Sequence, residues 1–297
     1  MNTKFLLLIV ITLSLPLQAD TLKVASWNIA WLGSHEYNKR LPADYDELAR
    51  YAKILDADVI ALQEVESPLW AKKVFGDEYE YYFSTKDWVQ RVGYAVKKSL
   101  PYKVESSEYK ALNVGRVRNG IDLTLSKGEK KLRLLAVHLK SGCFDKSLES
   151  NALSSMKDGT EKESKEKFAC YTLSNQIKPL ESWIDSRAKE NIAFIVLGDF
   201  NRRFSVDIEK SYSETQGLWQ AIDDDGAEDM WAPTLTKNSA CWGGYYKEYI
   251  DHIVLDPKAR KQYVKDSFKQ LVFDQQYSQQ LSQNLSDHCP ISIEVEM

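Results

Sequence analysis

Ile192 to Asn201 reads IAFIVLGDFN, and the fold is decided by how this stretch is understood. Ile192 to Leu197 is almost wholly apolar, Gly198 breaks the run, and Asp199 and Asn201 follow two apart. A short apolar run bounded by Gly is the pattern of a buried strand that empties into a loop. Asp and Asn also close Asx-turns, so the pair alone reads as a turn as readily as a reactive group. Its neighbours have to decide.

Immediately upstream, Cys170, Leu173, Ile177, Leu180 and Ile184 recur at helical spacing, with Pro179 inside the pattern and expected to kink it. Residues 144–167 before that helix are rich in Ser, Lys and Glu and read as a solvated surface insertion. Further back the texture is β, with runs at Tyr79–Phe83, Val92–Val96, Tyr102–Tyr109, Ile121–Leu125 and Leu132–Val137. Lys127-Gly128-Glu129 reads as the hairpin turn between the last two. The final run meets His138, although a His ending an apolar strand is more often a satisfied core residue than a catalyst.

Val59 to Leu62 is another buried strand, and it ends in Gln63-Glu64. A carboxylate there is expensive to bury unless it is paired or holds a cation. After Pro42, Asp44 with Glu47 three later resembles a capping box, and Tyr45, Leu48, Ala52 and Leu55 keep helical spacing. Leu22 to Trp27 is a strand-like run up to Asn28, and the strand then continues into a second apolar stretch, Ile29 to Leu32, closed by Gly33.

Downstream, Trp219, Trp231, Trp242, Tyr245, Tyr246 and Tyr249 make an aromatic region. Such residues stack on bases in some clefts, but loop packing is the commoner use. Tyr249 to Leu255 reads as a strand in which Asp251 shares the buried side of Ile253 and Leu255. The tail SDHCPISIEV places Asp287 and His288 ahead of Pro290 and a last strand.

Composition bounds the class. With 297 residues, 43% apolar and 28% charged, and no repeat or structureless linker, one compact domain over 20–297 with surface insertions is expected. Residues 1–19 combine Lys4, the apolar run Phe5 to Leu15 and Ala19 before Asp20, as a secretory signal peptide does. That run is shorter than the ~20 apolar residues that span a bilayer, so no membrane anchor is expected and the chain reads as secreted or periplasmic. Losing Lys4 leaves 38 basic against 43 acidic residues, a net charge of −5. Charge alone therefore does not wrap nucleic acid around this chain, although a local basic patch suffices for an enzyme. Four cysteines in an exported chain imply disulfides, and the lack of a CxxC pair argues against zinc. Three pairings exist. Cys143–Cys170 is preferred because it ties down the polar segment between, which leaves Cys241–Cys289.

Asn28, Glu64, His138, Asp199, Asn201, Asp251, Asp287 and His288 all lie at the start or end of a strand-like run. Carboxylates with an amide favour Mg²⁺, Mn²⁺ or Ca²⁺ over zinc. An Asp beside an Asn can deprotonate and orient a water, and a His fixed by a buried Asp can steady charge or carry a proton. Together these are the parts for hydrolysing a phosphate ester.

The ordered pieces WN (27–28), LQE (62–64), HLKSG (138–142), GDFN (198–201), IDHIVL (250–255) and SDH (286–288) resemble the endonuclease/exonuclease/phosphatase superfamily. The resemblance spans most of the chain. It implies a four-layer α/β sandwich, two packed mixed β-sheets flanked by helices, with the site along one edge. It also implies Glu64 as principal metal ligand, helped by Asn28 and Asp287, with Asp199 activating the water and Asn201 holding it or a phosphate oxygen. His138, and His288 oriented by Asp251, would contact the scissile phosphate, and Arg118 would be a further phosphate contact. Which His protonates the leaving oxygen stays open. Val65 after Glu64, and Ile29-Ala30-Trp31 after Asn28, depart from the AP endonuclease pattern, and no exposed hydrophobic hairpin of the sphingomyelinase kind is visible. The expectation is a secreted, monomeric phosphodiesterase, a nuclease on DNA or RNA. The alternatives are a phosphatase or sphingomyelinase-like phospholipase, and a non-catalytic binding module.

Overall fold

The computed structural model describes residues 20–86, 89–149, 160–224 and 229–297. The expected signal segment, 1–19, and the middle of the expected insertion, 150–159, lie outside them. In chain order the elements are β1 (Thr21–Leu32), α1 (Pro42–Leu55), β2 (Val59–Val65), α2 (Pro68–Phe75), β3 (Tyr79–Phe83) and β4 (Arg91–Lys97). They continue with β5 (Lys103–Tyr109), β6 (Gly120–Lys127), β7 (Lys130–His138), α3 (Glu161–Lys189), β8 (Ala193–Asp199), α4 (Phe204–Glu209) and α5 (Leu218–Ile222). The last are β9 (Asp251–Leu255), α6 (Pro257–Gln262), β10 (Lys269–Gln270), α7 (Gln279–Asn284) and β11 (Ile291–Glu296).

Two mixed sheets form, ordered β10-β11-β1-β2-β4-β3 and β5-β6-β7-β8-β9. Strand alternation sorts the side chains into layers. Leu22, Val24, Val59, Ala61, Leu132, Leu134, Ile195, Leu197, Ile253 and Ile291 fill the space between the sheets. Ala25, Trp27, Ile60 and Leu62 face outward against α1 and α2. Leu135, Val137, Phe194 and Val196 face outward against α3, α4 and α5. The result is the expected α/β sandwich, helices outside and two sheets within.

Several local expectations need correction. The apolar run does not stop at Gly198: β8 continues through it to Asp199. Gly198 has φ +143°, and a Cβ there would stand 2.1 Å from the Val137 carbonyl oxygen, so glycine allows β7 and β8 to stay paired up to the site. As expected, β1 continues past Asn28 to Leu32, across an irregularity in register between Asn28 and Leu32. Asp44 is not the cap of α1. It sits in the first turn and accepts from the Leu41 amide at 2.7 Å, while Glu47 pairs with Arg50. Within 144–149, Lys146 and Glu149 are exposed, but Leu148 is buried, its amide donates to Gln216 O at 2.9 Å, and Arg202 donates to the Lys146 carbonyl. Residues 161–167 open α3, capped by Thr160, and Pro179 lies inside that helix as the spacing predicts. Strand β9 starts at Asp251, not Tyr249. Gly128-Glu129 does close the β6–β7 hairpin, with Lys127 paired to Lys130. Both preferred disulfides are present, Cys143–Cys170 and Cys241–Cys289.

Candidate active site

Strand polarity gathers the candidate residues at one end of the sandwich. β1 and β2 run parallel, as do β7 and β8, so Asn28, Glu64, His138 and Asp199 all lie near C-terminal strand ends. β9 is antiparallel to β8 and pairs Asp251 with Asp199. β11 is antiparallel to β1, which brings the turn before it to the same end. Alternation then aims the side chains. Asn28 continues the inward stripe of Leu22 and Val24, His138 that of Leu134 and Ala136, Asp199 that of Ile195 and Leu197, and Asp251 that of Ile253 and Leu255. The site is the inter-sheet core carried one step further with polar residues.

Glu64 breaks that alternation. Gln63 holds the inward register position, and the pairing of β2 with β4 shifts between Leu62 and Val65. Glu64 has φ +60°, and Ala30, Trp31 and Asn201 are also left-handed at +48°, +55° and +51°. Non-glycine residues in this region cost about 1–3 kcal/mol each and concentrate at functional sites. Its bent backbone lets Glu64 accept from the Trp31 amide at 3.1 Å and the Gln90 amide group at 2.9 Å.

Asp199 lies at the centre. Its Oδ2 accepts from Asn28 Nδ2 at 2.9 Å and its Oδ1 from the Asn201 amide at 2.8 Å. His138 Nε2 is 3.4 Å and His288 Nε2 3.9 Å from Oδ2. Burial pushes the Asp199 carboxyl up to about 7, with neighbouring His288 acting in the opposite sense. His288 is bonded through Nδ1 to Asp251 Oδ2 at 2.7 Å. Burial would depress its pKa, but Asp251, Asp287 and Asp199 override that and hold it well above the usual histidine value. His138 is pushed well below that value by burial and by the charges of Arg118, His288 and Lys140. One ring is therefore cationic and the other neutral near pH 7.

The remaining candidates fall as follows. Asn201 donates from Nδ2 to Leu139 O at 3.2 Å and lines the pocket beside Asp199. Asp287 is on the rim, 3.8 Å from His288 Nε2. Arg118 spends its guanidinium on the His138 and Leu139 carbonyls and stands near enough to feel the charges of Asp199 and Glu64. His252, inside the IDHIVL motif, points away: it stacks on Phe204 at 3.9 Å and bonds Thr234 and the Arg202 carbonyl.

Asp199, Asp251 and His288 bring ligand atoms within 4.8 Å of one another, close enough to share a cation. However, the 2.7 Å contact of His288 with Asp251 is a hydrogen bond that a shared ion would have to displace. Glu64 offers a different setting. Its side chain is 12% exposed and accepts from neutral N–H partners, and desolvation raises its pKa. Asp287 lines the same pocket, and its charge reaches Glu64. Hard oxygen donors with surplus negative charge fit a divalent cation.

Several site-building residues carry no motif. Arg40, buried in the β1–α1 connection, donates to the carbonyls of Ile29, Ala30, Trp31, Asn284 and Leu285. It thereby clamps the left-handed turn of β1 to the chain just before Asp287. Gln90 holds Glu64, and Arg202, next to Asn201, is fully buried against Asp207. Loop residues of this kind have no periodicity to betray them. Trp219, Trp242 and Tyr249 pack into the protein, whereas Tyr245 and Tyr246 stand exposed at the pocket.

No family model matches the sequence, and no curated protein does. Solved structures do match in fold. Humanized D. rerio TDP2 superposes with a TM-score of 0.58 at 18% identity, over 93% of this chain and 99% of that one. D. rerio TDP2 complexed with single strand DNA product gives 0.54 at 19%, over 93% and 99%. An endonuclease/exonuclease/phosphatase from Bacteroides vulgatus gives 0.57 at 15%, over 94% and 99%. The chain has the endonuclease/exonuclease/phosphatase fold, as the motifs implied.

Proposed function

We propose that this protein is a divalent-metal-dependent phosphodiesterase that cleaves nucleic acid, exported after loss of residues 1–19 and built as one catalytic domain over 20–297. The observation that carries the reading is Asp199, a buried carboxylate of near-neutral pKa fixed between Asn28 and the Asn201 amide and flanked by two histidines. Glu64 and Asp287, with the Asn28 amide oxygen, would hold Mg²⁺, for which Mn²⁺ or Ca²⁺ would substitute. When bound, the ion supplies charge neutralisation at the phosphate.

The chain's own groups do the rest. Asp199 takes a proton from the attacking water, and its pKa suits that task near neutral pH. Asn201 holds the water or a phosphate oxygen. His288, cationic and oriented by Asp251, gives a proton to the leaving oxygen through Nε2. His138 is kept neutral and donates a hydrogen bond to the phosphate, and Arg118 adds positive charge behind it. The fold likeness to a TDP2 structure holding a DNA product supports the choice of nucleic acid. So do two disulfides for export. Among the described residues no helix is long and apolar enough to cross a membrane.

Plasmid DNA, RNA, bis-p-nitrophenyl phosphate, p-nitrophenyl phosphate and sphingomyelin, each with Mg²⁺ or EDTA, test the reading. Nucleic acid and the diester should be cut, EDTA should abolish cutting, and Asp199→Ala should lower kcat by roughly 10²–10⁴. Hydrolysis of the monoester alone, or of sphingomyelin alone, would transfer the protein to the phosphatase or phospholipase class. Activity that survives EDTA or Asp199→Ala would overturn the mechanism.

A further inference from the structure

One wall of the active-site pocket is not explained by phosphate chemistry. The cavity holds about 490 Å³, and its lining includes Tyr245, Tyr246 and Lys247 as well as Glu64, His138, Asp199 and His288. Tyr245 is 61% exposed and Tyr246 39%, so two large rings stand in water beside the reacting groups. Tyr245 lies flat on Tyr277, with centroids 4.0 Å apart and planes at 13°. Tyr246 meets Tyr245 edge-on at 4.9 Å and 86°.

The support beneath these rings is tied to the site by ring contacts, hydrogen bonds and a disulfide. Tyr277 packs edge-on against buried Trp242, whose indole N–H donates to the Ser286 carbonyl at 2.9 Å. The Ser286 hydroxyl donates to Asn28 O and accepts from the His288 amide. Cys241 is bonded to Cys289, one residue past His288. The aromatic wall and the histidine are thus anchored to the same short turn. Beyond the catalytic His288, Lys247 and Arg203 are the basic residues of the lining, and Arg203 is already paired with Asp145 at 2.9 Å. A multiply phosphorylated sugar would want more free positive charge than this wall offers, and an acyl chain would want aliphatic walls.

We propose that Tyr245, backed by Tyr277 and flanked by Tyr246 and Lys247, is a stacking platform for a nucleobase next to the scissile phosphate. The inference rests on the phosphodiesterase reading above and narrows its substrate to an ester whose neighbouring group presents a π-face. A held ring pair binds a base with little ordering cost, and it tolerates any base because each has such a face.

The test compares an eight-nucleotide single-stranded oligothymidylate with an abasic phosphodiester chain of the same length, both in Mg²⁺. Wild-type enzyme should prefer the base-bearing chain in kcat/KM by roughly 5- to 150-fold, the range of one stacked base. Tyr245→Ala should collapse that ratio toward one, acting mainly through KM, and Tyr245→Phe should restore it. Thermal melting verifies that each variant is folded. Equal cutting of both chains by wild type, or a ratio unmoved in Tyr245→Ala, would overturn the platform while leaving the phosphodiesterase standing. Failure of wild type to cut either chain would instead sink the parent reading. Loss of sphingomyelin hydrolysis in Tyr245→Ala, with the oligonucleotide ratio unchanged, would make the wall a cation–π seat for a choline head and refute the nucleobase.

Discussion

Removal of Asp207 tests how the GDFN turn is held. Arg202 follows Asn201 directly, and both Arg202 and Asp207 are wholly buried, 2.6 Å apart at their closest. The guanidinium also donates to the carbonyls of Cys143 at 2.9 Å and Gln216 at 3.3 Å. Asp207 in turn accepts from the amides of Leu218 and Trp219 at 3.0 and 3.2 Å, at the start of α5. Asp207→Ala would strand a buried cation among dipoles and orphan two amides. Breaking one partner of a buried pair costs about 3–5 kcal/mol, whereas removing both charges is far less damaging. With a urea slope of roughly 3 kcal/mol/M, a 4 kcal/mol loss moves the midpoint down by about 1.3 M. Urea unfolding followed by tryptophan fluorescence reads this directly. Asp207→Ala should fall by that amount, and Arg202→Met/Asp207→Ala should lose markedly less than the two single losses added together. A loss below about 1 kcal/mol in Asp207→Ala, or simple additivity in the double variant, would refute the reasoning.

Three further outcomes are expected. Burial pushes His252 down to about 3 from an ordinary 6.5, so the unfolded chain binds the extra proton between those values and stability falls as pH falls. From pH 7 to pH 5 this group should cost about 2 kcal/mol, and His252→Gln should flatten the slope by that much in urea titrations at the two pH values. Cys143→Ser/Cys170→Ser opens a closure of 27 residues and should lower stability by about 3.5 kcal/mol on the chain-entropy account, measured by the same unfolding assay. Gly198→Ala forces a methyl to 2.1 Å from the Val137 carbonyl at a positive φ, and should destabilise by upward of about 2 kcal/mol while reducing Mg²⁺-dependent cutting. An unchanged unfolding midpoint would show that β7 and β8 separate there at no cost.

Sequence by itself reached far here because each strand reports its own buried face. Runs such as Leu132–Val137 and Ile192–Leu197 are continuous in sequence, so their ends, and the polar residues at those ends, were visible before any packing was known. The motif order then implied the fold, and the sheets have it. What remained hidden was whatever depends on two segments far apart. Glu64 reaches the pocket only because β1 and β2 shift register together and leave it left-handed at φ +60°. Arg40 matters through five carbonyls, two of them more than 240 residues away, and nothing in the local pattern marks it. Tyr245 and Trp242 are three apart and both aromatic, yet one is exposed at the site and the other buried in the core. Local periodicity states which way a side chain leaves its own strand. What it then meets is set by the partner strands and loops, and that only the tertiary structure decides.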